Sequence, residues 1–486
     1  MATTTDAVAG TGSGLDRYFR ISERGSTVRR EVRGGLVTFM TMAYIVVLNP
    51  LIIGLAKDAD GRLLGVPQVA GVTALVAAVM TILMGVVGRI PIALATGLGL
   101  NAFVAVAVAS RMSWADAMGL VVLEGLVITV LVLTGFRIAV FRAIPAQLKT
   151  AIAVGIGLFL ALIALVDAGI VRRTGAGTVP VQLGATGSLR GWPVLVFVLT
   201  LAIMGILVAR GVRGAILIGI LAGTVIALIV DAIADPGPAV GPNGEVNPSG
   251  WQLTVPTWPD KVAGLPDLSL VGNFSLFGGF GRIGVLAAIL LVFTLMLADF
   301  FDTMGTVVAV SAEAGLLDDE GNPPDVQRVL LVDSLAAAAG GAASASSATS
   351  YVESTAGVAD GARTGLASVV TGLLFVLALF LTPLVSLVPS EAATPALIVV
   401  GCLLVAQIRD LDLTDFGLLL PAFLTIVLMP FTFSITNGIG AGFVSYVVLQ
   451  AARGRARTIH PLLWVIAVLF LIYFALDPIE DLLGIS

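Results

Sequence analysis

Residues 291–310 read LVFTLMLADFFDTMGTVVAV. Almost every side chain in the stretch suits lipid, and its length matches the roughly 20 residues that a membrane-crossing helix needs. Two carboxylates, Asp299 and Asp302, interrupt it. Three residues apart on a helix, they share one face. A charged side chain at the centre of a bilayer costs at least about 2.5 kcal/mol. The pair therefore faces a partner or a water-filled cavity. No Lys or Arg lies within 291–313, so a base that paired with them would have to come from another helix.

The remainder of the chain agrees with a membrane setting. Of 486 residues, 58% are hydrophobic and 12% charged, about half the charge of a soluble domain. The mean hydropathy is +1.05. A transmembrane barrel would show short alternating strands, whereas these apolar runs are long and unbroken, so the predicted class is all-α polytopic. The net charge of −5 argues against a nucleic-acid partner. A single cysteine, Cys402, excludes an internal disulfide or a cysteine metal cluster, and a single histidine, His460, argues against histidine catalysis. The reading calls for no metal and no cofactor. Residues 1–33 are polar, carry six arginines and lack an apolar core, so no cleavable signal is expected.

Apolar spans fall at 34–55, 67–88, 91–109, 114–134, 147–171, 192–209 and 213–231. After a Pro-, Gly- and Trp-rich loop over 232–284 they resume at 285–313, 327–343, 345–360, 363–382, 394–409, 415–434 and 437–453. A further run, 461–476, is either an extra span or a surface helix. With the N-terminus inside, inner loops and ends carry 18 of the 26 basic residues, as the positive-inside rule requires. Seven spans per half invert the second half relative to the first, the arrangement of many secondary transporters. The seventh spans share GILAG (219–223) and GIGAG (438–442).

The third span of each half is expected to be broken. PIALATGLGLNAFVAVAVA (91–109) holds Pro91, Gly97 and Gly99, poor residues for a helix interior. ASSATSYVESTAGVADGARTG (345–365) is Ser/Thr-rich and carries Glu353. Interrupted segments at matching places mark a transporter's site, and irregular backbone at that depth must be buried or line a cavity. Beside the functional reading each residue has a structural one. Glu353 and Asn101 can cap helix ends, and Tyr351 can pack or stack on a planar ligand. Thr349 and Ser350 can satisfy local backbone. Glu124 can pair with another helix, and Asp333 with Arg328.

Five ordered stretches, GGLVTFMTMAYIVVLNPLII (34–53), ATGLGLNAFVA (95–105), ADFFDTMGT (298–306), TSYVESTAGVADGARTG (349–365) and LMPFTFSITNGIGAGF (428–443), resemble the AzgA-like adenine/guanine/hypoxanthine permeases of the nucleobase:cation symporters. The resemblance implies a 14-segment, 7+7 inverted repeat with two broken helices. It implies a core over 34–134 and 285–382 and a gate over 135–231 and 383–453, flanked by the N-terminal segment 1–33, the outer loop 232–284 and the C-terminal segment 454–486. It also implies a homodimer in the cell (plasma or inner) membrane. The purine would sit between the eighth span and the broken segments. The acids of the wider family fall on Asp302 and Glu353, while Asp299 and Asn101 match the purine branch. The candidate substrate contacts are Asp302, Glu353, Asn101, Tyr351, Asp299 and Leu98, with Asp299, Asp302 and Glu353 as proton carriers. Carboxylates accept from purine N–H groups and free backbone N–H groups donate in return. The expected activity is proton-coupled purine import by an elevator-type or core-against-gate motion. An anion exchanger of the same fold is the first alternative and an intramembrane aspartyl protease the second. The protease would want a Gly-x-Gly-Asp signature, which ADFFDTMG lacks.

Overall fold

The computed structural model describes residues 14–134, 144–173, 181–184, 187–240, 247–259, 261–317 and 323–475. A short helix, α1 (Gly14–Phe19), precedes α2 (Val28–Gly54) and α3 (Val66–Gly88). Strand β1 (Leu94–Thr96) then leads into α4 (Leu98–Arg111), followed by α5 (Trp114–Leu133) and α6 (Ala146–Asp167). A hairpin, β2 (Val171–Arg173) and β3 (Val181–Leu183), comes before α7 (Trp192–Ala209) and α8 (Ala215–Ala234). After the long loop come α9 (Gly278–Ile283), α10 (Val285–Glu313) and α11 (Val326–Ala342). Strand β4 (Ala348–Ser350) and α12 (Ser354–Ala359) follow, then α13 (Gly365–Leu379), α14 (Ser390–Asp410), α15 (Phe416–Phe431), α16 (Ile435–Ala452) and α17 (Pro461–Phe474). Among the described residues, nine helices are long and apolar enough to cross a membrane. The chain is a multi-pass helical membrane protein.

Both segments read as broken helices are a strand followed by a short helix. β1 and β4 pair antiparallel, with Leu94 opposite Ser350, Ala95 opposite Thr349 and Thr96 opposite Ala348. The pairing extends past both ends: Tyr351 N–H donates to the Ala93 carbonyl at 2.9 Å, and Gly97 N–H to the Ser347 carbonyl at 3.0 Å. The sequence explains the break. Gly97 and Gly99 weaken a helix over 94–100, while the Ser/Thr run at 344–350 competes with helical backbone bonds through its hydroxyls. Ser344 and Ser346 adopt φ of 56° and 78°. Gly340 leaves the room that turn needs, because a Cβ there would overlap the Ser346 carbonyl.

The helices around this crossing pack in matched pairs. α3 lies on α13 and α5 on α11; α2 also meets α13, and α10 meets α5. Elsewhere α6 packs on α14 and α15, α7 on α8 and α14, and α15 on α16. Small residues allow the close approaches, as membrane helix interfaces require. A Cβ on Gly85 would overlap the Gly365 carbonyl, and one on Gly365 would overlap that of Gly85. Gly157 and Gly401 stand in the same relation, each added Cβ meeting the other's carbonyl oxygen at 2.6 and 2.5 Å.

Two regions are more specific in the structure than in the sequence reading. A short hairpin, 171–173 with 181–183, lies ahead of the long outer loop. Within the loop the described residues show a single bridge, Pro238 to Trp251, with buried Trp251 donating its indole N–H to Asp231 at 2.8 Å. The final apolar run forms a helix of 14 residues, short of a full span. It packs against α16, with Phe470 and Phe443 stacked at 6.4 Å.

Gly157→Ala and Gly401→Ala each force a methyl into a backbone oxygen. Overpacking of this kind costs about 1–3 kcal/mol. Either variant, purified in detergent, is expected to melt several degrees below the parent, and an unchanged melting temperature would refute the close crossing.

Candidate functional site

A cavity of about 640 Å³ lies where the two strand–helix segments meet. One wall comes from α2 (Tyr44), the start of α4 (Leu98–Leu100), α10 (Ala298, Asp302, Thr306) and the β4–α12 turn (Ser350–Glu353). The opposite wall comes from α6 (Lys149, Ile152, Ile156) and α14 (Val400, Leu404, Gln407). Exposed Gln407 and Asp410 mark its mouth.

The site is built outward from β4. Its exit turn places Glu353 at the head of α12. There α2 fixes Glu353 twice: Tyr44 donates its hydroxyl to the carboxylate Oε1, and Thr41 donates to the Glu353 carbonyl at 3.3 Å. Tyr351 anchors its hydroxyl on the Thr96 carbonyl at 2.5 Å, across the strand pair. Its ring remains against the cavity. α10 brings Asp302 onto the cavity surface, where its side chain is exposed to that space. Behind Asp302, Thr303 bonds both Asp333 (2.7 Å) and Thr349 (2.9 Å). Asp333 also accepts from the Ser350 amide (3.1 Å) and hydroxyl (2.8 Å). One carboxylate from α11 thus ties α10 to β4.

Of the six candidate contacts, Asp302, Glu353, Tyr351 and Leu98 line the cavity. Asn101 and Asp299 do not; both are fully buried behind it. Asn101 donates to Thr96 Oγ1 at 3.2 Å, and its Oδ1 has no hydrogen-bond partner among the described residues. Glu124 is likewise set back, accepting from Ser347 at 3.2 Å. Arg328, read as a partner for Asp333, stands exposed in the first turn of α11 while Asp333 is buried.

Sequence reasoning missed Tyr44, Lys149 and Gln407. Tyr44 carries the lone hydroxyl of its kind in MAYIVVLNP, and Lys149 is the lone base of the run 146–167. Both were detectable as polar exceptions in apolar runs, the kind of signal that singled out Asp302. Gln407 left no such mark.

The arrangement suits a flat, neutral ligand with N–H groups on its edge. Glu353 and Asp302 offer acceptors, while Leu98, Gly99 and Leu100 bring first-turn backbone N–H groups that have no intrahelical acceptor. Tyr351 and the aliphatic side chains of Ile152, Ile156, Val400 and Leu404 complete the lining.

The Permease family model matches residues 29–441. A guanine/hypoxanthine permease of Bacillus subtilis (strain 168) is 38% identical over 465 residues, covering 95% of this chain and 99% of its own length. An adenine permease of Escherichia coli (strain K12) is 36% identical, covering 94% and 95%. Among solved structures, the transmembrane domain of a cyanobacterium bicarbonate transporter matches with a TM-score of 0.60 at 15% identity, over 85% of this chain and 97% of that one. The murine solute carrier 26 family member A9 anion transporter, inward-facing, also reaches 0.60, at 10% identity over 93% and 74%. Those two identities speak to fold alone. With carboxylates set at the crossing of two half-helices and sequence likeness running the length of the chain, the protein belongs to the permease family, as a transporter of its AzgA-like nucleobase permease branch.

Proposed function

We propose that this protein imports purine bases, held between Asp302, Glu353 and the backbone of Leu98–Leu100, with protons as the coupling ion. The single observation that carries this is the cavity itself, with two carboxylates on the wall built from the strand–helix crossing. The relatives named guanine/hypoxanthine and adenine permeases support the same reading. A carboxylate at membrane depth can take up a proton on one side and release it on the other. Asp302 and Glu353 are the carriers in direct reach of the ligand, and Asp299, one turn earlier on α10, is the one set back from it.

The wider architecture is proposed as fourteen segments in a 7+7 inverted repeat. In its support, the third unit of each half is a strand and a short helix, and second-to-fourth packing recurs in both senses (α3 on α13, α11 on α5). A core over 34–134 and 285–382 then bears one cavity wall, and a gate over 135–231 and 383–453 bears the other. Transport is core moving against gate. The basic inner loops favour an N-terminus in the cytoplasm of a cell-membrane protein, and the cavity mouth at Gln407 and Asp410 then opens inward. A homodimer rests on the family resemblance alone.

An anion exchanger remains the second reading, since two anion-transporter titles share the fold. Carboxylates on the cavity oppose it. Uptake of labelled hypoxanthine, adenine and guanine against uracil and bicarbonate, with and without an uncoupler, separates the readings. Saturable purine uptake that collapses with the uncoupler is expected; bicarbonate uptake without purine uptake would reverse the conclusion.

Glu353→Gln removes the anion and one acceptor while keeping size. Apparent purine affinity is expected to fall at least about tenfold, equivalent to about 1.4 kcal/mol. Tyr44→Phe leaves the carboxylate but removes one charge-assisted bond, of about 1.5–3 kcal/mol; affinity should fall by less than in Glu353→Gln, with normal surface expression. Parent-like affinity in both variants would dismiss this wall as the site.

The two α10 acids are expected to separate by assay. Asp302→Asn should abolish purine binding, because an amide nitrogen meets the ligand N–H with a donor. Asp299→Asn should retain binding and lose concentrative uptake. Equal loss of binding in both would assign Asp299 to the ligand instead of to coupling.

A further inference from the structure

The half-helix that carries Glu353 ends in an ion-pair cluster that the site does not use. α12 runs from Ser354 to Ala359, and Asp360 follows it directly. Glu353 and Asp360 thus bracket one short rod, about 10 Å long at 1.5 Å per residue. The Asp360 side chain is 6% exposed. Its two carboxylate oxygens go to different arginines. Arg33, near the start of α2, pairs with Oδ2 and donates to the Asp360 carbonyl at 2.8 Å. Arg213, two residues before α8, pairs with Oδ1.

The two arginines belong to different parts of the fold. α2 packs against α12 and α13 and contributes Tyr44 to the same cavity wall as Glu353. α8 packs mainly against α7 and α14, the elements behind the opposite wall, and also touches α2. The Arg33 bond therefore lies within one body, whereas the Arg213 bond crosses between two. Several other ion pairs join neighbouring segments on one side, such as Arg282 with Asp60 and Asp116, and Arg453 and Arg455 with Asp415.

We propose that Arg213 and Asp360 form a latch that holds this state of the transporter, with the cavity open on the latch side. This inference rests on the core-against-gate reading above. The latch and the cavity lining at Lys149 share one end of the molecule, because α6, α7 and α8 run back and forth, so the start of α6 and the start of α8, with Arg213, lie at the same end. The chemistry of the cluster suits a bond that must break in every cycle. Removing the sole partner of a buried carboxylate is strongly destabilising. Here Arg33 travels with Asp360 and keeps it compensated after Arg213 leaves. Arg213 is 52% exposed and returns to water. A ligand that draws Glu353 toward itself pulls on the rod whose far end is the latch.

The test measures half-saturation for labelled hypoxanthine on both faces, in right-side-out and inside-out membrane vesicles containing the full chain. A latch sets populations, so its loss lowers apparent affinity on the face it held open and raises it on the other. Arg213→Gln is expected to raise the half-saturation concentration at least threefold on the latch face and to lower it at least threefold on the opposite face. Arg213→Lys, which keeps the cation, should return both to within twofold of the parent. Arg213 does not line the cavity, and size-exclusion profiles check folding. A variant that loses only maximal rate, or whose two half-saturations stay equal to the parent's or move together, overturns the latch and leaves the purine reading standing. A parent that takes up no purine at either face sinks the function and the latch with it.

Discussion

The fold depends on one constraint, that backbone N–H and C=O groups inside a bilayer must find partners within the protein. Two breaks in separate helices would leave two sets of such groups without partners. Here each break satisfies the other: β1 and β4 exchange backbone bonds over three register pairs, and the flanking bonds from Tyr351 to Ala93 and from Gly97 to Ser347 close both ends. Neither segment can hold its conformation alone. The first half and the second half are therefore joined where both are irregular.

Side chains then secure that crossing from behind. Asp333 gathers Thr303 and Ser350, so the helix that carries Asp302 and the strand that leads to Glu353 share a carboxylate. Glu31 accepts from the amides of Arg363 and Thr364 at 2.9 and 3.2 Å, supplying acceptors to the start of α13. Ser354 accepts from the Ala93 amide at 3.0 Å. Each bond runs between segments far apart in the chain. The polar residues that seem misplaced in an apolar sequence mostly serve this crossing, and only a few reach the ligand space.

Rigid packing on either side of the cavity complements the crossing. Reciprocal glycines bring α3 to α13 and α6 to α14 at backbone contact. Such interfaces have little freedom to slide, because a shift would drive carbonyl oxygens into one another. The cavity is lined by Lys149, Ile152 and Ile156 of α6 and by Val400, Leu404 and Gln407 of α14 together with groups from α2, α4, α10 and the β4–α12 turn.

The sequence by itself determined that the chain is a multi-pass helical membrane protein. That follows from composition and run length, which are additive properties of residues. It also located the two breaks, because glycines, a proline and a Ser/Thr run act on local backbone. Asp302 and Glu353 stood out because a carboxylate in an apolar run is costly wherever the run folds. Tertiary structure alone decided which exceptions meet. Asp299 and Asp302 share a helix face within one turn, yet one lines the cavity and the other is buried, a difference set by the packing around α10. Tyr44 became a partner of Glu353 across more than 300 residues of chain. Asp360 acquired arginines from the start of α2 and from the turn before α8. Contacts of that kind depend on how helices pack in space, and no local spacing in the chain records them.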